Sequence, residues 1–245
     1  MAGPNVVAAT RAGRSPLPRD DVALFDDYAG EWWRPGGAFA MLHWLARARA
    51  ELVPPAARPG SILVDVGCGA GLLAPRVQAR GHLHIGLDLA GSALEQAAAH
   101  GVQAIRADVA RLPLPDGCAD VVCAGQILEH VADLPTVVAE LCRVLRPGGR
   151  IVLDTLADTL LCRLLAIELA ERVPGIPRGI HDHRLLVDPD RLRGLFAGQG
   201  IQLRVRGIRP AVLPLARWLV RRHTVVPIVP SFSKAILYQG VGNKP

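Results

Sequence analysis

The stretch Asp65-Val66-Gly67-Cys68-Gly69-Ala70-Gly71 follows directly on the apolar run Ser61 to Val66 and precedes Leu72 to Arg80, whose apolar residues have helical spacing. Glycines at alternate positions let the backbone turn sharply and bring N–H groups close to a ligand. The chain is therefore committed to a strand, a binding loop and a helix, with the loop at the carboxyl end of the strand, where parallel sheets hold their ligands. The same alternation continues. His82 to Leu89 reads as a strand, Ala93 to His100 as a helix, Ala104 to Asp108 and Asp120 to Gly125 as strands, and Leu134 to Leu145 as an amphipathic helix stopped by Arg146-Pro147-Gly148-Gly149. Arg150 to Thr155 is a fifth strand, and Ile201 to Ile208 and Ser233 to Val241 are the last two. The expectation is an α/β fold: a mostly parallel seven-stranded sheet with helices on both faces.

A chain of 245 residues is long enough for one such domain with a sizeable core. Residues 1–20, with arginines and prolines but no secretory pattern, read as a disordered tail, and residues 21–245 as a single domain. Thr159 to Arg172 reads as an apolar helix running into Pro174, Gly175, Pro177 and Gly179, so residues 159–187 form a helix-loop insertion after the fifth strand. No apolar run reaches the length of a membrane span. Five cysteines (68, 118, 123, 142 and 162) without paired spacing suit reduced thiols and a cytoplasmic protein. The formal charge is +6, yet residues 201–245 hold eight basic residues and no acid. There the arginines alternate with Leu, Val, Ile and Trp218, and residues 211–230 are apolar with Arg217, Arg221 and Arg222, which suits an interfacial face better than nucleic acid.

Asp88 stands 21 residues beyond Gly67 at the end of the second strand, placed to accept both ribose hydroxyls of a nucleoside, and Asp108 closes the third strand where it can hold an adenine amino group. A dinucleotide such as NAD would use the same acids. The loop, however, is GxGxG, and Asp65 precedes its first glycine by two residues, where a carboxylate repels a pyrophosphate and attracts the cationic aminoacyl end of S-adenosylmethionine. S-adenosyl-L-methionine is the expected ligand, with Asp65, Gly67, Gly69, Gly71, Asp88 and Asp108 around it.

These residues resemble the Rossmann-like class I methyltransferases, and more narrowly the ubiquinone-biosynthesis O-methyltransferase family, over about residues 25 to 195. The general part is Val64 to Leu73, Gly86-Leu87-Asp88, Leu128-Glu129-His130-Val131 and Arg146 to Gly149. The narrower part is Phe25, Ala29, Trp32-Trp33, Gly37, Phe39 and Leu42-His43 before it, and Asp154-Thr155-Leu156, Val173-Pro174, Gly179 to Asp182 and Pro189 after it. The resemblance implies cofactor contacts at Arg49, Gly67, Asp88 and Gly125. The tryptophan pair either anchors the N-terminal helix or lids the cofactor.

Gln126, Glu129 and His130 are spaced i, i+3, i+4, so a helical turn would put them on one face. The family commonly has Glu-x-x-Glu-His here, which implies a site for Mg²⁺; Gln126 removes one anionic ligand. His130 is the expected general base and Glu129 its partner, the alternative being that both merely cap the helix. His181 and Asp182 are a second polar pair in the insertion. The resemblance implies a phenolic, prenylated quinone-precursor acceptor and, with the apolar and basic segments 159–170 and 211–230, a peripheral place on an anionic membrane; those segments could equally close the core or form a dimer interface. Two rivals remain: a methyltransferase of another small-molecule or lipid-linked acceptor, and a non-catalytic cofactor- or lipid-binding scaffold.

Overall fold

The structure is a computed structural model describing residues 20–245 apart from 35, 174, 175, 223 and 224. Residues 1–19 of the tail segment, and Pro174 and Gly175 of the insertion, lie outside them. Strands β1 (Ile62–Val66), β2 (Leu83–Asp88), β3 (Gln103–Arg106), β4 (Ala119–Gly125), β5 (Leu145–Leu156), β6 (Arg204–Pro210), β7 (Ile228–Ser231) and β8 (Leu237–Asn243) form a sheet in the order β3-β2-β1-β4-β5-β8-β6-β7. The first five are parallel and β8 runs antiparallel between β5 and β6.

Successive residues of the central strands serve opposite faces. Leu63 of β1 points to one face with Val121, Cys123 and Val152, where they meet Ala50 at the end of the helix Ala40–Ala50 together with Leu73 and Val77. Val64 points to the other with Val122 and Leu153, against Leu134, Val138 and Leu141 and against Leu192 and Phe196. Both faces of β1 and β4 are thus sealed, which is why their sequences are mostly apolar rather than alternating, with Asp65 and Asp120 the exceptions. Each fully buried Val or Leu contributes roughly 1.5–3 kcal/mol.

The helices are α1 (Ala23–Asp27), α2 (Ala40–Ala50), α3 (Ala74–Val77), α4 (Gly91–Ala99), α5 (Leu134–Val144), α6 (from Leu160), α7 (Pro189–Gly198) and α8 (Val212–Val220). Asp133 accepts a hydrogen bond from the Thr136 N–H and Asp188 accepts from Asp190 and Arg191, capping α5 and α7. Helix α6 changes character along its length: an α-turn at Leu160–Cys162, π-helix over Arg163–Leu169, then a 3-10 turn at Ala170–Arg172. Among the described residues no helix is long and apolar enough to cross a membrane.

Among the described residues the sheet has eight strands where the sequence predicts seven. The extra one, β7, lies in the segment 211–230 and pairs antiparallel with β6 from Gly207↔Ser231 to Pro210↔Ile228. Pro227 and Pro230 hide it, because proline lacks the N–H of a ladder; at the outer edge of the sheet that N–H has no partner to lose.

Candidate active site

A cavity of about 700 Å³ opens at the carboxyl ends of β1, β2 and β4. The glycine loop forms its floor. Gly67 and Gly69 line it with φ of +69° and +51°, a left-handed region that favours glycine, and a Cβ on Gly69 would sit 2.9 Å from the Trp32 ring. Gly71 does not reach the cavity; its Cα packs on Ala97 of α4, where a Cβ would be 3.0 Å away, so this glycine brings helix and strand together. Asp88 accepts hydrogen bonds from the Gly69 N–H (2.8 Å) and the Ala90 N–H (2.9 Å), and burial pushes its carboxyl above the usual range against the pull of those donors. Asp65 is buried at the wall with His84 Nε2 3.4 Å from its Oδ2. Asp108 also lines the cavity, in the loop beyond β3 and exposed, accepting from the Ala110 N–H at 2.8 Å.

Arg49, on α2, is buried and bidentate to Asp154 at the end of β5, with Nε–Oδ2 2.7 Å and Nη2–Oδ1 3.1 Å. Burial opposes its charge, but Asp154 and Asp65 hold the guanidinium even further into its charged form than usual. It lies so close over the backbone of β4 that a Cβ on Gly125 would fall 1.6 Å from its Cζ. Gln126, at φ +55°, donates from Nε2 to Asp154 Oδ1 (3.0 Å). Arg49, Asp154, Gly125 and Gln126 therefore form one rigid unit across the ends of β4 and β5. A carboxylate at the buried end of an apolar strand needs a cationic partner, and that was the signal in the sequence for Asp154.

The left-handed turn at Gln126 prevents the expected helical face. Leu128–His130 is a single 3-10 turn, and its side chains diverge. Glu129 points away from the cavity into the core, where it is 0% exposed and accepts from Thr155 Oγ1 at 2.6 Å; burial pushes its carboxyl up. His130 lines the cavity, its Nδ1 bonded to Asp20 and its ring stacked on His181, centroids 5.3 Å apart. Burial favours the neutral imidazole, but Asp20 and Glu129 outweigh it and raise the pKa. Asp182 instead pairs with Arg184 at 2.5 Å. The expected metal ligands Gln126, Glu129 and His130 do not converge: each is turned to a different partner, and among the described residues no group of three His, Cys, Asp or Glu side chains could hold a metal ion. Asp20, from the N-terminal segment, is the partner that sequence reasoning missed.

The two tryptophans have separate duties. Trp33 donates from Nε1 to the Ala70 carbonyl (3.1 Å) and stacks on His100 at 3.7 Å, anchoring the N-terminal segment. Trp32 stacks on Phe39 at 4.0 Å and lines the cavity over Gly69, with Nε1 buried and unpartnered. That orphan donor, the cradle at Gly67 and Gly69 that a Cβ would fill, and the acids Asp65, Asp88 and Asp108 fit S-adenosylmethionine.

A glycine loop after β1, acids after β2 and β3, and an antiparallel strand inserted into a parallel sheet define a class I S-adenosylmethionine-dependent methyltransferase. Residues 64–153 match the family model described as a methyltransferase domain. The ubiquinone biosynthesis O-methyltransferase of Burkholderia pseudomallei is 34% identical over 208 residues, covering 80% of this chain and 88% of that one, and that of Rhizobium etli is 32% identical over 214 residues (79% and 86%). The chain belongs to this O-methyltransferase family and uses S-adenosylmethionine on a small-molecule substrate. Among solved structures, a Thermotoga maritima methyltransferase, possibly acting on histamine, superposes with a TM-score of 0.63 at 17% identity, covering 91% of this chain and 99% of that one. Phosphoethanolamine N-methyltransferase 2 of Haemonchus contortus, complexed with S-adenosylmethionine, gives 0.62 at 14% (94% and 62%). These last two share the fold.

Proposed function

We propose that the enzyme methylates a hydroxyl of a phenolic ring bearing a prenyl-type tail, a precursor of a quinone, while resting on an anionic membrane. The observation that carries this is the outer half of the cavity. Beyond His130 it runs between α6 and α8, lined by Leu165, Ala166, Ala170, Leu215 and Trp218, an apolar channel suited to a hydrocarbon chain. Outside the mouth, Leu160 is 82% exposed and Val220 83%, beside Leu164, Leu213 and Arg217. Exposed leucines next to arginine suit the boundary of an anionic bilayer, at about 1 kcal/mol per basic residue near the surface.

S-adenosylmethionine supplies a methyl group on a sulfonium. Asp88 and Asp108 would hold its ribose and adenine, and Arg49 and Asp65 its aminoacyl end. With Asp20 accepting from Nδ1–H, the lone pair of His130 lies on Nε2, which takes the phenolic proton as the oxygen attacks the methyl carbon; the O–C bond forms, the C–S bond breaks and its electrons stay on sulfur. Glu129 and Asp20 stabilise the resulting imidazolium. Arg49 and the stacked rings of Trp32 and Phe39 fix positions, worth several kcal/mol when reacting atoms are held near attack geometry.

Gln126, bound to Asp154 rather than free for a cation, favours a second reading in which the acceptor is a simple phenol or other lipid-linked hydroxyl compound rather than a catechol. Labelled S-adenosylmethionine, offered with prenylated catechols, prenylated phenols and their tail-less counterparts, decides. Transfer to the tailed rings is expected, and binding of the donor without transfer to any ring would refute the assignment.

A further inference from the structure

Away from the catalytic cavity, the half of the sheet formed by β8 and β6 carries a second cleft of about 340 Å³, walled on one side by Glu51 and Leu52 just after α2. Its other walls are Arg150, Arg204 and Arg206, with Val241 and Gln239 between them. The register explains the grouping. Arg150 pairs with Asn243, Arg204 with Val241 and Arg206 with Gln239, so the three arginines rise on one face of the sheet from β5 and β6, on either side of β8.

Like charges so placed repel, and among the described residues none of the three has a carboxylate within ion-pair distance; Arg150 reaches the Asn243 amide and Arg206 the Gln239 amide. Three guanidinium groups against the single carboxylate of Glu51 leave a net charge of +2. Gln239 adds a second, independent observation. It is 1% exposed, its Oε1 accepts from Arg206 Nη2 at 3.2 Å, and its Nε2 is buried with no partner. A buried amide N–H without an acceptor costs about 1–3 kcal/mol, which an occupant with oxygen lone pairs would return.

The geometry points to a binding site for a soluble dianion of the phosphate class, a diphosphate or phosphate ester, in this cleft. Guanidinium forks match the tetrahedral oxygens of a phosphoryl group, the charge of the cleft matches a dianion, and the Gln239 amide supplies the neutral donor at the base. The volume stands at the small end of ligand-sized clefts.

The test is calorimetric titration of the full chain, saturated with S-adenosylhomocysteine to close the donor site, with sodium pyrophosphate and with inorganic phosphate at matched ionic strength. Saturable one-to-one binding is expected, weakened at least about tenfold in R204A/R206A and also in Q239L, while S-adenosylhomocysteine affinity in R204A/R206A stays at the wild-type value and shows that variant to be folded. Non-saturable heats, or equal affinity in R204A/R206A, would overturn the site. Flotation on phosphatidylglycerol vesicles forms the second arm. It should be unchanged in R204A/R206A; loss of flotation without any binding of pyrophosphate would assign the arginines to lipid headgroups and refute a soluble ligand.

Discussion

Replacing Arg49 by methionine tests the unit that joins β4, β5 and the donor site. The side chains of the pair are 8% and 0% exposed, and their two hydrogen bonds measure 2.7 and 3.1 Å. Methionine fills much of the same space, so packing changes little, but Asp154 keeps a buried negative charge with only the Gln126 amide as a side-chain donor. Removing one partner of a buried ion pair costs about 3–5 kcal/mol. At about 2–4 °C per kcal/mol for a domain of this size, even 3 kcal/mol lowers Tm by roughly 6–12 °C. Adding Asp154→Leu removes the stranded charge, and the double variant should recover at least about 2 kcal/mol of that loss, because apolar replacement of a whole buried pair is often neutral. Urea denaturation of the wild type, both single variants and the double variant gives the four free energies. S-adenosylhomocysteine should bind weakly to both Arg49 variants, since neither offers a cation to the aminoacyl carboxylate. An R49M protein within about 1 kcal/mol of wild type, or a double variant no more stable than R49M, would refute the electrostatic account.

His130→Gln should lower kcat by about 10²–10⁴-fold while S-adenosylhomocysteine binding persists. Because the His130 pKa is raised, its pairing with Asp20 contributes stability that is complete below the unfolded value and is lost as pH rises through the folded one, whereas activity, which needs the neutral ring, rises over that same window. Asp20→Asn should shift the acid limb of the kcat profile to lower pH; an unmoved limb would remove Asp20 from the mechanism. Methyl transfer should be insensitive to chelator, since Gln126, Glu129 and His130 face different partners, and a loss of activity restored by Mg²⁺ would contradict that. Gly69→Ala meets both a φ of +51° and the Trp32 ring, a strain of about 1–3 kcal/mol that calorimetry should record as weaker donor binding.

Local signals were legible in the sequence because they depend on a few neighbouring residues. The β1 loop, Asp88 at the end of β2, and the stop at Pro147-Gly148-Gly149 all follow from turn chemistry and periodicity, although β3 ends at Arg106 and leaves Asp108 in the loop beyond it rather than closing the strand. Contacts spanning long stretches of chain were not. Asp154 meets Arg49 across 105 residues and Asp20 meets His130 across 110, and no local pattern says which partner either acid takes. The helical turn expected at Gln126 to His130 failed for a backbone reason: a non-glycine residue in the left-handed region, stabilised by Asp154, which receives both the Gln126 N–H and its amide. The π-helical stretch of α6 was hidden because leucine-rich segments read alike at either pitch.

The position of β8 decides when the molecule can become whole. It lies between β5 and β6, yet among the described strands it comes latest in sequence, and Lys244 after it donates to the Cys142 and Leu145 carbonyls. During synthesis β1 to β5 emerge with both ends of their donor loop in place, but the open side of β5 waits for about eighty more residues before it finds its neighbour. Until then β6 and β7 have no ladder to the rest of the sheet, so the channel assigned to the acceptor is assembled last and the donor loop first. Clipping β8 should thus yield a protein that separates the two events: a compact amino-terminal sheet beside an unzipped remainder.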